Sequence, residues 1–446
     1  MRRFILPPLL ALLAPNGMAQ THLDAYVQLA FASNHSIRQQ QVLLQRDLTA
    51  LQEAKRLYMP AVNLTGTYTL AGGGRTIDFP LGDLLNPAYS TLNRLTGSDA
   101  FPPLRNQRIQ LNPNNFYDIH ARTTYPLVNA EIRYNEQIKR QQADLQCIEI
   151  DLFKRELAKE VKVAYYRYLQ ATEAIRIYEN ALTLVQESQR VNRALFNNQK
   201  VNRTSVARST NEVTRIGAQV AVAQQTQHSA QAYLNFLLNR PAYTAIDHDV
   251  LTNVPTPPTL ADTTVSGREE LAKLRQAQAI NTSLVALAAT YRKPKINLFA
   301  DLGAQAFDFS LNRYSPYYLA GLTFDLPLFS AGRNALKVTQ AKLDGEALDA
   351  NTRYVTEQLR LQITTATNSL LAALTQYGAA QSQVVASQQN YRDLQQLYRE
   401  GQVLYVELLD AQNQVIADQL QVNISRFDAW AKQAELERAT ASITLN

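Results

Sequence analysis

The sequence predicts a mainly α-helical fold made by tandem duplication, with four β-strands per chain that contribute to a transmembrane barrel shared between chains. Three observations predict this fold class. Residues 195–211 (LFNNQKVNRTSVARSTN) align without a gap with residues 397–413 (LYREGQVLYVELLDAQN), which is the mark of an internal repeat. A heptad pattern precedes this stretch in each half, and two pairs of alternating segments have the period of strands.

Residues 1–19 are predicted to be a secretory signal peptide. Two arginines precede an apolar core at positions 4–13, and small residues stand before a cleavage site after Ala19. The alternative, an ordinary buried helix, would be interrupted by prolines at positions 7, 8 and 15. The chain is therefore expected to be exported.

Composition excludes several classes of protein. The mean hydropathy of −0.26 and the lack of any other apolar stretch of the length of a membrane helix exclude a multi-helix membrane protein. The net charge of +6 is dispersed, so no nucleic-acid partner is expected. The five histidines lack metal-ligand spacing and no catalytic motif is present, so neither a metal site, a cofactor nor an enzyme is predicted. The single cysteine, Cys147, excludes an internal disulfide and is expected to be packed in a helix.

Two repeats and a linker make up the mature chain. The first repeat, 20–240, is predicted to contain a helix at 22–57, a hairpin at 60–126, a long helix at 130–196, a turn at 197–202 and a helix at 203–239. A proline-rich linker follows at 241–266. The second repeat, 267–446, is predicted to contain a helix at 267–292, a hairpin at 294–327, a long helix at 331–397, a turn at 398–403 and a helix at 403–440.

The long helices carry seams of alternating three- and four-residue steps. In the second repeat the seam is Leu370, Ala373, Tyr377, Ala380, Val384, Ser387, Tyr391, Leu394 and Tyr398, and it recurs 202 positions earlier from Tyr168 to Phe196. A seam of more than three heptads with mixed large and small residues predicts closely packed, supercoiled helices. At 1.5 Å per residue each long helix would extend about 100 Å.

Four segments alternate with period two: 61–70, 117–125, 296–305 and 318–326. One face of each is apolar without a charged residue, and prolines at 60, 126, 294 and 327 mark the junctions with the helices. Tyrosines at the strand ends resemble interfacial girdles. Because four strands cannot close a barrel and open edges are not tolerated in lipid, several chains must share one.

The hairpin loops differ in length. Residues 71–116 separate the first two strands, whereas about a dozen residues around Phe307 to Ser315 separate the second pair. Long loops on one side are typical of the outer face of such barrels. The Gly72-Gly73-Gly74 run lacks the context of a phosphate-binding loop.

These residues together resemble the TolC-like outer-membrane efflux family of Gram-negative bacteria. The helix-to-strand prolines, the YPLVNA and LPLFSAG stretches that begin the long helices, and LYREGQVLYVELLDAQN carry the resemblance. It implies a homotrimer with a twelve-stranded barrel in outer-membrane lipid and a long helical tunnel in the periplasm. It also implies a periplasmic adaptor (membrane fusion protein) and an inner-membrane pump as partners.

The resemblance also implies a site at the two helix turns. Glu407 and Asp410 would line a periplasmic constriction as stacked acidic rings, and Tyr398 matches a tyrosine that tethers the closed state. The alternative is that the acids belong to a solvated first helical turn, where they complement the helix dipole. The turns would receive the adaptor through Asn197, Asn198, Gln199, Lys200, Val201, Glu400, Gly401, Gln402, Val403 and Leu404.

Several positions depart from the family pattern. Val403 stands where a basic residue is frequent, and Ser205 stands where its acidic partner would be. The first turn has Gln199 where the second has Gly401. Arg208 stands opposite Asp410 in the repeat alignment, so a closed-state latch is expected to pair Arg208 or Arg203 with Glu407 or Asp410 of a neighbouring helix.

The predicted function is an exit duct for small molecules or secreted substrates. The alternative is an exported coiled-coil scaffold or periplasmic adaptor with soluble β-domains. A soluble sheet should interrupt its outward apolar row with charges, and none of the four rows contains one.

Overall fold

The computed structural model describes residues 22–248, 251, 253–258, 265–443 and 445. The predicted signal peptide lies outside these residues, as does part of the linker. The described chain divides into two compact units. Unit 1 comprises the described residues of 1–48, 141–281 and 343–446, and unit 2 comprises 49–140 and 282–342.

Eight helices occur in the described residues: α1 His22–Ser33, α2 His35–Arg56, α3 Leu81–Thr96, α4 Ala130–Asn197, α5 Arg203–Leu237, α6 Glu269–Ala288, α7 Arg333–Arg399 and α8 Tyr405–Thr440. A 3₁₀ turn at Ala289–Arg292 extends α6. The segment predicted as one helix at 22–57 is two, because Asn34 interrupts it. The Asn34 side chain accepts a hydrogen bond from the Ser36 backbone N–H at 2.9 Å, which caps α2.

Unit 2 contains an antiparallel four-stranded sheet in the order β1-β4-β5-β6. Its strands are β1 Ala61–Thr69, β4 Phe116–Val128, β5 Lys295–Phe307 and β6 Pro316–Asp325. The central pair β4 and β5 joins the two repeats, and β1 and β6 are the edges. Strand β4 runs past Pro126, where it was expected to end, with a register shift between Pro126 and Val128.

The two faces of the sheet differ as the alternation predicts. Apolar side chains on one face are uncovered: Leu64 is 77% exposed, Leu302 68% and Tyr318 82%. The other face holds an Arg122–Asp301 ion pair across β4 and β5, with hydrogen bonds of 2.8 and 2.7 Å. An apolar outer face and a polar inner face are what a membrane barrel needs.

The segment 71–116 was predicted to be the long loop of the first hairpin, and it contains secondary structure of its own. It contains a two-stranded sheet of β2 Thr76–Phe79 and β3 Gln107–Gln110, with α3 between them. Pro87 lies inside α3, which is one reason why the sequence did not indicate a helix there.

The core of unit 1 is formed by α4 with α1, α5 and α8. Leu157, Val161 and Tyr165 of α4 are buried against Leu234 of α5 and Phe427 of α8. The described part of the linker packs on the same core. There the Trp430 indole N–H donates to the Asn253 carbonyl at 2.9 Å and the ring stacks on Tyr166 with centroids 5.6 Å apart.

Half of the 18 positions of the predicted seams are buried, including Val185, Asn192, Leu370 and Ala380, and all the others except Phe196 are partly buried. Cys147 does not follow the expectation. It lies in α4 but is exposed, because the helix turns that position away from its neighbours within the chain.

Charged side chains connect α4, α6 and α8 in unit 1. Glu270 accepts hydrogen bonds from Arg268 at 2.9 Å and from Arg438 at 2.8 Å. Arg438 also donates to Glu156 at 3.0 Å, and Arg155 donates to Glu269 at 2.9 Å and to the Ile443 carbonyl at 2.7 Å. Burial disfavours the charged form of Glu270, but the hydrogen bonds and charges of Arg268 and Arg438 outweigh it and lower the pKa to about 2. The network therefore depends on the ionised carboxylate.

This network predicts acid lability. Because the pKa of Glu270 falls on folding, its contribution to stability is complete above its ordinary value of 4.5 and is lost as pH falls from there toward 2. The difference corresponds to at most roughly 3 kcal/mol. We expect the midpoint temperature of thermal unfolding in detergent to decrease in the wild type as the pH falls from 4.5 toward about 2. In Glu270→Gln this temperature should depend much less on pH.

The matched control is Glu435→Gln, because Glu435 is 41% exposed and its one ion pair within the described residues is with Lys432, one helical turn away. Its pH dependence should equal that of the wild type. Equal pH dependence of Glu270→Gln and the wild type would contradict the role of Glu270.

Candidate functional site at the helix turns

The two turns that join α4 to α5 and α7 to α8 have the same backbone. The Lys200 N–H donates to the Leu195 carbonyl at 2.9 Å, and the Gln402 N–H donates to the Leu397 carbonyl at the same distance. In each turn one residue is left-handed: Gln199 has φ of 58° and Gly401 has φ of 77°. Both therefore end their helix with a Schellman-type motif. The first repeat keeps that geometry without glycine, at the cost of strain in Gln199.

The helices that leave the turns begin differently. Asn202 caps α5 by accepting a hydrogen bond from the Ser205 N–H at 3.1 Å. The corresponding cap position of α8 is Leu404, whose side chain has no acceptor. Instead the Glu407 carboxylate accepts a long hydrogen bond, 3.4 Å, from the Leu404 N–H. Within one chain Glu407 thus complements the start of α8, as the alternative interpretation of the acids expects.

A buried aromatic cluster lies behind the second turn. Tyr398, Tyr405 and Leu408 are its core, and the Tyr398 and Tyr405 rings lie 5.7 Å apart. The Tyr398 hydroxyl donates to the side-chain oxygen of Asn192, which is fully buried in α4. The bond therefore joins the second repeat to the first. Burial and the neighbouring Tyr405 raise the pKa of Tyr398, so its hydroxyl keeps its proton.

A second polar contact joins α5 to α8 near the turns. Arg215 donates to Glu212 through its Nε at 2.9 Å and to the Asn413 side chain at 2.6 Å. Glu212 is only 6% exposed, and its hydrogen bond raises the pKa of Arg215. Gln412 beside it is 1% exposed and neither atom of its amide has a partner in the described chain. Neither Asn192 nor this contact was assigned a role from the sequence, because polar side chains at seam spacing do not reveal their partners.

The predicted gate acids share the exposed face of α8. Exposed residues follow at steps of three and four from the turn: Glu407, Asp410, Gln414 and Ala417. The same spacing reaches Ile424 and Asp428 further along the helix. The stripe is polar and acidic near the turn, whereas the face toward α4 and α5 is apolar. The acids are therefore directed away from the core of their own chain.

Arg208 is exposed on α5 and makes no ion pair with Glu407 or Asp410 within the described residues. The expected latch is thus not formed inside one chain, and a pairing between neighbouring chains stays a prediction. The ten residues expected to contact an adaptor form the surface of the two turns. All are exposed except Val201 and Val403, which are partly buried.

No group of three or more His, Cys, Asp or Glu residues is placed to hold a metal ion in the part of the chain that the structure describes. None of the helices described above is long and apolar enough to cross a membrane.

Comparison with known proteins assigns the fold. Residues 260–442 match the family model described as outer membrane efflux protein. This part of the chain is therefore similar to the outer membrane efflux proteins. That family consists of channels of the outer membrane of Gram-negative bacteria and not of enzymes. No curated protein matches its sequence.

Solved structures extend the similarity in fold to nearly the whole chain. The outer-membrane channel OprN is 16% identical with a TM-score of 0.74, over 94% of this chain and 89% of that chain. CusC, studied for transmembrane channel formation, is 16% identical with a TM-score of 0.75, over 94% and 92%. The open state of the MtrE outer membrane channel of Neisseria gonorrhoeae is 16% identical with a TM-score of 0.71, over 94% and 89%. The predicted fold class is confirmed for the single chain, which is mostly helical with one four-stranded sheet and matches the fold of these channels.

The duplicated turns give a pair of opposite predictions. Gln199→Gly should raise the free energy of unfolding by up to about 1 kcal/mol, because it removes a strained left-handed residue. Gly401→Ala should lower the free energy of unfolding by about 1 kcal/mol, because alanine is strained at the positive φ of this position. Steric overlap does not contribute, since the added Cβ would meet no atom within 4 Å. Thermal unfolding in detergent measures both.

Gly378→Ala is the control for Gly401→Ala. Gly378 lies inside α7 with equal room for a Cβ but without a left-handed backbone, so alanine should stabilise the helix there by about 1 kcal/mol. The same sign for Gly378→Ala and Gly401→Ala would contradict the account of the turns.

Proposed function

We propose that the efflux protein is an exit duct that passes small molecules or secreted substrates to the exterior and is gated at the two helix turns. The observation that carries the gate is the exposed stripe of α8 that begins with Glu407 and Asp410. Sister copies around a common axis would bring these carboxylates together as rings. Rings of carboxylates attract cations and repel anions in a narrow pore.

The hydrogen bond from Tyr398 to Asn192 is proposed to hold the closed arrangement. It ties the end of α7 to α4, so α7 and α8 cannot move away from the first repeat without breaking it. A broken bond would leave Asn192, 0% exposed, with a buried unpaired oxygen, at a cost of about 1–3 kcal/mol. That cost favours the closed arrangement until a partner compensates for it.

Single-channel recording in planar bilayers tests the acids. We expect Glu407→Gln with Asp410→Asn to give a larger conductance and a lower cation selectivity, because two carboxylates per chain leave the constriction. Glu400→Gln is the control, since Glu400 is an exposed acid of the turn outside the α8 stripe. Unchanged selectivity in the double variant would remove the gate assignment and leave the fold intact.

The same recordings test the tether. Tyr398→Phe keeps the ring and removes only the donor to Asn192, so openings should become longer or more frequent. Tyr391→Phe is the matched control, because Tyr391 packs in the same cluster without a hydrogen bond from its hydroxyl in the described chain. Equal open probabilities for the two variants would argue against a tether at Tyr398.

We infer that the turns receive a periplasmic adaptor that connects to an inner-membrane pump. Two large apolar side chains remain uncovered beside them, Phe196 at 41% and Leu404 at 68% exposure. Apolar side chains within a polar surface favour docking of another protein.

In-cell photo-crosslinking tests this surface. A photoreactive residue at Gln402 should capture a periplasmic adaptor identified by mass spectrometry, whereas the same residue at Gln414, on the α8 stripe, should not. Capture of the adaptor from Gln414 but not from Gln402 would contradict the assignment.

A further inference from the structure

In the segment 71–116, the polar face of helix α3 packs inward and its apolar face is exposed. The face of α3 that packs on its own segment is polar: Asn86 exchanges two hydrogen bonds with the Leu104 backbone, at 2.9 and 2.8 Å, and Asn93 exchanges two with the Phe101 backbone, at 2.9 and 3.1 Å. Gly82 belongs to the same face, where a Cβ would lie 2.4 Å from the Leu104 carbonyl oxygen. Close approach of the backbones thus fixes which side of α3 faces inward.

The outward face of α3 is an apolar stripe, which we call the leucine face. Its members recur at steps of four and three, and they are Leu81, Leu85, Ala88, Leu92 and Leu95. Leu85 is 37% exposed, Leu92 40% and Leu95 74%. Heptad spacing of leucines is the pattern by which helices pack on other helices. In the described chain Leu81 is partly buried, but the other four members of this face are exposed.

The two-stranded hairpin of β2 and β3 also has an exposed apolar face. Ile77, Phe79 and Ile109 share one face of the two-stranded sheet and are 47–50% exposed. The opposite face carries the Asp78–Arg108 ion pair. An isolated two-stranded hairpin is marginally stable in water. Both parts of the segment therefore expose the side that would need a partner.

We propose that the partner is the same segment of sister chains, so that the α3 helices pack by their leucine faces and form an apolar cap over the outer mouth of the barrel. The segment follows β1, which is an edge strand and must pair with a sister chain to close the barrel. The surface is thus continuous with the interface that the fold requires.

Dimensions allow the contact. Twelve strands about 4.8 Å apart and tilted by about 40° enclose a barrel with a radius of about 12 Å. Helix α3 has 16 residues and is about 24 Å long. A helix that begins at the barrel wall is therefore long enough to meet its copies at the axis.

Charge favours copies of the chain over the lipid surface. The segment 71–116 has four arginines, three aspartates and no lysine, which is a net charge of +1, and the leucine face has no charge at all. Copies therefore do not repel one another. Binding to an anionic lipid surface is favoured by clusters of basic residues, and this segment has none.

Cysteine cross-linking in intact outer membranes tests the cap. Cys147 is exposed and is first changed to serine, and this background then carries either Leu92→Cys or Ser90→Cys. Ser90 is exposed on the side of α3 opposite Leu92. Because opposite sides of a helix are about 10 Å apart, we expect about tenfold more covalent dimer from Leu92→Cys than from Ser90→Cys with a short bifunctional maleimide.

The outcomes separate the cap from the barrel. Cross-linked dimer from Leu92→Cys, with an intact heat-sensitive trimer, supports the cap. An intact trimer without dimer, or with equal dimer from both positions, overturns the cap and leaves the barrel. Loss of the trimer in the Cys147→Ser background overturns both. Quenching of a fluorophore on Leu92→Cys by brominated lipid would show that lipid covers the leucine face, and it also overturns the cap.

Conductance gives a second readout that does not depend on cross-linking. Leu85→Asp with Leu92→Asp places charges in the leucine face without touching the asparagine contacts of α3. If the helices meet over the mouth, this variant should conduct more than the wild type, whereas Ser90→Asp should not. Identical conductance of both variants and the wild type would overturn the cap.

Discussion

The open edges of the four-stranded sheet are the constraint on which the rest of the structure depends. Strands β1 and β6 each present a row of backbone groups that nothing in the described chain satisfies. In lipid no water is available to those groups, and each one left unpaired costs several kcal/mol. The exposed apolar face excludes the other solution, an aqueous sheet with a wet edge. The chain therefore cannot be complete alone, and duplication supplies a hairpin from each repeat to the shared barrel.

Duplication also explains where the two repeats meet. The β4–β5 pairing joins them within the sheet, and the Tyr398–Asn192 bond joins them near the turns. Each junction places a polar group of one repeat against the other: Arg122 against Asp301 in the sheet, and Tyr398 against Asn192 between the helices. Polar pairs that must be satisfied are more specific than apolar packing, because a shift in register leaves their buried members, Asp301 and Asn192, unpaired.

The sequence predicts secondary structure well where a periodic pattern extends over many residues. It predicts secondary structure poorly where a single side-chain contact determines where a helix forms or ends. The long helices and the four strands follow from runs of heptads and of alternating residues. Asn34 divides a helix that shows no proline or glycine, because its side chain competes for the backbone of the following turn. The fold of 71–116 was not predicted, because asparagine side chains that bind an extended segment hold its helix in place. Asparagines are typical of loops, so composition alone indicates a loop there. Cys147 was expected to be packed from its place in a helical pattern, but a pattern without a clear apolar stripe does not define the buried face.

The candidate site was likewise predictable in its backbone but not in its side-chain contacts. The turns could be aligned from the sequence, and Gln199 takes the left-handed conformation of Gly401, so backbone geometry was retained after the residues diverged. The side chains did not keep their chemistry. Ser205 and Arg208 of α5 stand where Glu407 and Asp410 stand in α8. Acids in both repeats would place twice as many carboxylates around one axis and increase their mutual repulsion. With acids in one repeat and a cation in the other, closing forces can arise between unlike helices. The proposed gate thus depends on the asymmetry of the two repeats.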